Sequence, residues 1–350
     1  MDFQILQLVR VLLVSFSGFL SAFLLTPFVY GFLIQNGFRK QIRLSSSAPV
    51  FSKLHKEKEG TPTGGGIVIW FSVLALAIIF FLIADVFPGW FSYLSFLNRA
   101  ETYLPLGTLA AAALVGLLDD YMGVRKIGPF GGGLSVQYKL FLYLLISGIG
   151  AYWFYHRLEW HVIHIPFFGN YDIGWWYIPF FMLIISATAH STNITDGLDG
   201  LAGGVLMFAF FALTAVAFLL GRYDLAVFSG AVVGALLAFL WFNVHPAKFF
   251  MGDTGSMALG ITLGTIALLT NTVLLLPFFA FIPMMETISV IIQLTSKKLR
   301  GGKKIFHSSP IHHHFEALGW EESQITMRFW IVSAIMTILG LIIFFIDRLL

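Results

Sequence analysis

Long apolar runs make up most of this chain, and the acids, glycines and basic residues collect in the short intervals between them. An α-helix rises about 1.5 Å per residue, so about 20 apolar residues cross the hydrocarbon of a bilayer. The pattern predicts ten such spans, at residues 11–34, 65–84, 104–120, 138–155, 175–192, 200–220, 225–243, 257–273, 277–296 and 325–346. A membrane β-barrel would instead show short alternating segments. One departure from helix is expected: Trp160 to Ile165 and Tyr171 to Trp175 flank Gly169-Asn170 and read as a small external hairpin. Pro88 and Gly89 punctuate another external loop. No basic region or cleavage site accompanies Val11 to Ile34, which reads as a retained first span rather than a signal peptide. The expectation is an all-α polytopic membrane protein of about ten transmembrane helices, with residues 1–350 forming a single domain.

Composition narrows the class further. The mean hydropathy is +0.85. Only 11% of the residues are charged against 58% hydrophobic, too little polar surface for a soluble domain of 350 residues. Without cysteine, neither disulfides nor thiolate metal sites contribute. A net charge of +3 is too small to imply nucleic acid as a partner. Its distribution says more. Of the 21 Lys and Arg, all but Arg10, Arg99, Arg157, Arg222 and Arg348 fall in alternate connections. That side is cytoplasmic by the positive-inside rule, which puts both termini outside. Asp119, Asp120, Asp196, Asp199 and Asp253 then all lie at cytoplasmic ends of spans. Ionised groups near hydrocarbon cost several kcal/mol, so acids retained there mark function. The active site is expected at the cytoplasmic face.

Several motifs carry candidate chemistry. Asp119-Asp120 closes the third span, and paired carboxylates either ligate Mg²⁺, share one proton, or simply form a solvated helix end. In Asn193-Ile194-Thr195-Asp196-Gly197-Leu198-Asp199-Gly200 the two acids are three apart, which on a helical turn places them on one side. The run also opens the next span, whose free N–H groups suit phosphate; a capped loop is the plain alternative. Phe250-Met251-Gly252-Asp253-Thr254-Gly255-Ser256 repeats the design, and one Asp suffices as a Mg²⁺ ligand when substrate phosphate supplies the rest. Asn243 and His245, just upstream, suit polar readout of a ligand ring. His312-His313-His314 cannot all face one way on a helix, which argues against a tris-His metal site. Glu59 to Gly66, after Lys56 and Lys58, reads either as a phosphate loop or as a flexible lead into the second span. Glu286 lies within the ninth span with Gln293 two turns later, as a structural partner or a catalytic acid. Acids, N–H donors and lysines on one face suit Mg²⁺-dependent transfer of a phosphate or diphosphate, and the membrane location points to a lipid substrate.

At Thr195-Asp196-Gly197-Leu198-Asp199-Gly200-Leu201-Ala202 and Met251 to Ser256 the chain resembles the polyprenyl-phosphate N-acetylhexosamine-1-phosphate transferase superfamily. Gly60-Thr61-Pro62-Thr63 and Pro310-Ile311-His312-His313-His314-Phe315-Glu316 resemble its phospho-N-acetylmuramoyl-pentapeptide-transferase family. The resemblance runs from about Lys58 to Trp320. It implies a homodimer in the bacterial cytoplasmic (inner) membrane that is active in peptidoglycan biosynthesis. UDP-MurNAc-pentapeptide would donate phospho-MurNAc-pentapeptide to undecaprenyl phosphate, giving lipid I and UMP with Mg²⁺. By motif match, Asp253 is implied as the Mg²⁺ ligand and Asp119 as the base for the lipid phosphate, with Asp120 beside it. Asp196 and His312 belong to the implied catalytic cluster. Asn193, Gly197, Leu198, Asp199, Asn243, Phe250 and His313 would line the nucleoside site, Phe250 stacking on uracil. Lys58, Thr63, Lys139, Gln293 and His314 match further positions of the ligand groove.

Some positions depart from the family pattern. Gly64 stands in place of the usual Met, His190 of Asn, Gly123 of Lys and Gln137 of Arg. Lys126 or Arg125 is left to supply the charge missing at Gly123. A sibling transferase using another UDP-HexNAc shares the acids but not the triple His. A transporter also sets acids in broken helices, but no mid-span pair of charges is evident here.

Overall fold

The computed structural model describes residues 2–39, 58–87, 89, 91–97, 100–128 and 132–350. Lys40, Arg43, Lys53, Lys56 and Arg99, which entered the charge asymmetry, and Pro88 lie outside them. Among the described residues ten long helices each overlap one predicted span. They are α1 (Asp2–Gln35), α2 (Ile67–Val86), α3 (Ala100–Val124), α4 (Val136–Arg157), α5 (Tyr177–Thr195), α6 (Leu201–Leu219), α7 (Tyr223–Asn243), α8 (Asp253–Leu269), α10 (Phe281–Leu299) and α12 (Glu322–Leu349). Two short helices, α9 (Leu276–Phe279) and α11 (Ile311–Ala317), join them. By length and apolarity six helices are able to cross a membrane, or seven if the bent Val273–Leu299 segment counts as one span. The chain is a helical, multi-pass membrane protein.

Two spans differ from expectation. The interval 277–296 is not one rod: it breaks at Ala280, and the helices on either side are bent by 88°. Pro277 opens α9 and Pro283 sits in the first turn of α10, where a missing N–H costs a helix nothing. The eighth helix starts at Asp253 rather than near 257, so the acid of the second motif is its first residue.

Lipid offers no hydrophobic drive between helices, so close backbone packing has to hold them together. Small residues permit it. A methyl group added at Gly234 of α7 would overlap the Ser15 carbonyl of α1, and one at Gly116 of α3 would overlap the Asp253 carbonyl of α8. At Gly260 it would lie 2.6 Å from the Thr188 carbonyl of α5. Helix α8 is buried from Thr254 to Leu269 and forms the centre of the bundle. The outer helices turn large apolar side chains outward, Phe28 and Trp241 being 76% and 72% exposed.

The expected hairpin is present, displaced by a few residues. β1 (Val162–Ile165) pairs antiparallel with β2 (Gly169–Asp172), and Gly169-Asn170 lies in the second strand rather than in the turn. Asp347, near the end of α12, accepts from the Phe167 N–H and pairs with His164 Nε2, both at 2.6 Å. That contact pins the hairpin to the bundle.

Candidate active site

The first residue of α8 organises the site. A helix start leaves backbone N–H groups without partners, and α8 finds its cap on another helix. Asp120 of α3 accepts the N–H of Asp253 and of Thr254, each at 3.0 Å. Both oxygens of Asp120 are engaged in that cap. The neighbouring Asp119 lines a cavity of about 890 Å³ and accepts the Leu134 N–H. Lys139 of α4 lies between acids, 2.7 Å from Asp119 Oδ2 and bonded to Asp253 Oδ2. Asn193, at the end of α5, donates to Asp253 Oδ1 at 2.8 Å and to Ser256 Oγ at 3.0 Å. Asp196 Oδ2 accepts the Gly252 N–H at 3.1 Å. Seven of the predicted polar residues, Thr63, Asp119, Asp120, Lys139, Asn193, Asp196 and Asp253, therefore share one cavity, with His190 also on its wall.

The loop before α2 is fixed rather than flexible. Its N–H groups at Gly65 and Gly66 donate to the carbonyls of Phe250 and Met251, and the Phe250 N–H donates to Pro62, all at 2.8 Å. A side chain at Gly66 would overlap Gly255. These glycines serve close approach of two loops, and their N–H groups are not left for a phosphate.

Asp196 and Asp199 do not share one side. Helix α5 ends at Thr195 and α6 starts at Leu201, and Gly200 takes a left-handed φ of 73° that only glycine adopts readily. The turn sends Asp199 into a second cluster. Lys58 Nζ bonds Asp199 Oδ1 at 2.8 Å and also Glu322, while His245 Nδ1 and the Ala247 N–H meet Asp199 Oδ2 at 2.9 and 3.1 Å. Burial opposes ionisation of Asp199, but the Lys58 ammonium and these hydrogen bonds outweigh it and hold its carboxyl below the usual range. Phe250 lies beneath Lys58, whose Nζ is 5.7 Å from the ring centre. Asn243 ties the loops together: its Oδ1 accepts the Gly200 N–H at 3.1 Å and its Nδ2 donates to the Phe249 carbonyl at 2.8 Å. The Gly200 and Leu201 N–H groups at the start of α6 are thus engaged within the protein.

The three consecutive histidines face three partners, as helix geometry requires. His312 is fully buried, with Nδ1 3.0 Å from Glu286 Oε2, and its ring packs on Gly197, where any side chain would overlap Nε2. His313 Nδ1 pairs with Glu316. His314 Nδ1 accepts the His307 N–H at 3.2 Å. Leu198 packs in a small apolar cluster with Leu201, Ile325 and Phe329. Gln293 spends its amide on backbone, accepting from Ile305 and Phe306 and donating to the Phe306 carbonyl at 2.8 Å. It serves the site by holding that segment.

Residues 102–271 match Glycosyl transferase family 4. A phospho-N-acetylmuramoyl-pentapeptide-transferase of Anoxybacillus flavithermus is 39% identical over 327 residues, 93% of this chain and 95% of the relative. Its namesakes from Bacillus subtilis and Chloroflexus aurantiacus are 39% and 35% identical, over 93% and 92% of this chain and 95% and 87% of their own. The chain belongs to the phospho-N-acetylmuramoyl-pentapeptide-transferase family. Against the pattern of that family, Gly123 lacks the usual Lys, and Lys126 lines the same cavity beside it. Arg125 instead lies against Tyr121, 5.6 Å from the ring centre.

Two groups of acids are candidates for a metal. Asp119, Asp196 and Asp253 put carboxylate oxygens on one cavity, the hard donor set that Mg²⁺ takes. Asp199, His245 and Glu322 also bring ligand atoms within 4.8 Å of one another, but Lys58 already bonds both carboxylates there. Lys139 bonds Asp119 and Asp253 of the first group in the same way, but that group lines the main cavity. Sequence reading missed Glu322, which resembles an ordinary first-turn acid of the last span. It also missed Arg39, which lines the main cavity and had counted only as charge.

Proposed function

We propose that this protein transfers phospho-MurNAc-pentapeptide from UDP-MurNAc-pentapeptide to undecaprenyl phosphate at the cytoplasmic face of the bacterial cytoplasmic membrane. Lipid I and UMP are the products. What carries the reading is the convergence of Asp119, Lys139, Asn193 and Asp253 on one cavity, in a chain so similar to enzymes of that name. Leu140 and Leu183, on the same cavity wall, are 49% and 64% exposed on the bundle surface, an apolar flank for a polyprenyl chain.

In this reading a lipid phosphate oxygen attacks the sugar-proximal phosphorus. The bond between that phosphorus and the bridging oxygen breaks, and UMP departs with the electron pair. Asp119 accepts the proton of the lipid phosphate. Lys139 holds Asp119 and Asp253 in register and offsets part of their charge, and Asn193 fixes the other Asp253 oxygen. Asp253 would hold Mg²⁺ with Asp196, and the ion would supply charge neutralisation for the diphosphate. Asp120 lines the same cavity but keeps α8 in place with both oxygens, and Asp119 is assigned the role of base. Lys58, Phe250 and Asp199 form the uridine end.

Ten crossings with both termini external, and a homodimer, belong to the same proposal. The acids of the site gather at one end of the bundle, in keeping with the asymmetry of basic residues. The test is UMP release by the purified protein in detergent with both substrates and Mg²⁺, beside Asp253→Ala. Release that needs both substrates and falls at least a hundredfold in the variant is expected. Release from UDP-GlcNAc but not from the muramoyl donor would refute the assignment.

A further inference from the structure

One face of α12 grips the loop between α5 and α6. Glu322 Oε1 accepts the Asp199 N–H at 2.6 Å. Thr326 Oγ1 donates to the Asp199 carbonyl, and Trp330 Nε1 to the Gly200 carbonyl, each at 3.1 Å. Residues four apart share a helix face, so the three form a row along the loop. Thr326 and Trp330 meet the loop's backbone. Glu322 does more. Its Oε1 also accepts from Lys58 Nζ, and its Oε2 lies 3.7 Å from His245 Nδ1. The Glu322 and Lys58 side chains are only 12% and 16% exposed. Lys58 is thereby held between Glu322 and Asp199, with its ammonium over Phe250.

We infer that Glu322 is a positioning residue for the nucleoside end of the donor: its carboxylate fixes the Lys58 ammonium over Phe250 and Asp199 against α12. The inference rests on the proposed nucleotide-sugar reading. A lysine chain is long and flexible, and a charge held in place before the ligand arrives binds it more tightly than one that must be ordered. The Asp199, His245 and Glu322 group is then a lysine clamp, its two carboxylates already paired with a cation. Because the nucleoside end does not react, losing the clamp weakens ground state and transition state alike, and KM carries the loss.

The experiment uses the full-length protein in detergent with Glu322→Gln, Lys58→Met and the double variant. Gln keeps an acceptor for the Asp199 N–H and removes only the charge facing Lys58. Glu322→Gln is expected to raise KM for the donor and Kd for uridine diphosphate about tenfold, with a much smaller change in kcat and an unmoved melting temperature. Lys58→Met with Glu322→Gln is expected to bind no worse than Lys58→Met alone. An unchanged KM, or losses that multiply in the double variant, would overturn the inference. So would a joint fall of kcat and melting temperature, which reads as loop support alone. If Glu322→Gln does not purify folded, Glu322→Asp replaces it under the same criteria, since it keeps the charge but withdraws it from Lys58. Wild-type protein that binds uridine diphosphate without releasing UMP would refute the reaction, leaving the clamp to be judged on binding.

Discussion

At the scale of single residues, the paired acids of α3 divide their labour. Both line the cavity, but Asp120 caps α8 through two N–H groups, whereas Asp119 pairs with Lys139. Asp120→Ala leaves both N–H groups without their acceptor, a loss of about 1–3 kcal/mol, so its melting temperature and activity should fall together. Asp119→Asn should melt like wild type while UMP release drops about a hundredfold or more, the range of a lost general base. Equal melting losses in both variants would deny the division. Asp199 gives a pH prediction. Its carboxyl sits below the usual range, so its ionised form stabilises the fold above the unfolded value of about 3.9. That contribution disappears as pH falls through the lower folded value. Asp199→Asn should therefore melt below wild type at neutral pH, with the gap closing below about pH 4. Parallel melting curves across that range would show that Asp199 carries no such coupling.

Between helices, crossings are set by what the small residues allow. A side chain at Gly234 would overlap the backbone at Ser15, while one at Gly31, also within a helix, would meet nothing within 4 Å. Gly234→Ala must push α1 and α7 apart, at a cost of about 1–3 kcal/mol. Gly31→Ala should be neutral or slightly stabilising, by up to about 1 kcal/mol. Melting of the two variants checks both, and a neutral Gly234→Ala would remove the argument for that crossing. The contrast also shows what a sequence holds at this scale. Long apolar helices were legible because apolar run length is a local property: each predicted span overlaps a long helix among the described residues, and six or seven of these are long and apolar enough to cross. Which side of a span faces lipid was not, since lipid and protein both accept Leu and Phe: α8 is buried and α1 largely exposed, though both read as apolar runs. The break at Ala280 was missed because its two halves read as one apolar run. The acids of the site were legible because they are costly near hydrocarbon. Glu322 was not: its partners Lys58 and Asp199 lie 264 and 123 residues away, and only the fold unites them.

For the whole molecule, the remaining question is which way it sits. Helix α4 starts at Val136, on the wall of the cavity, and runs 22 residues towards the hairpin. At about 1.5 Å per residue it separates the two by about 33 Å, a membrane thickness. In the proposed topology α4 crosses, and site and hairpin occupy opposite faces. By the positive-inside rule the basic residues after α10, Lys297 to Lys304, would put the site's face in the cytoplasm, as proposed above. The chain contains no cysteine, so single cysteines report cleanly. Phe168, at the hairpin turn, is 75% exposed, and Lys303 is exposed on the other face. In spheroplasts, a membrane-impermeant maleimide should label Phe168→Cys directly and Lys303→Cys only after permeabilisation. The reverse pattern would turn the protein over and place its chemistry outside the cell, where cytosolic UDP-sugars do not reach. Labelling of both in sealed spheroplasts would mean that α4 does not cross.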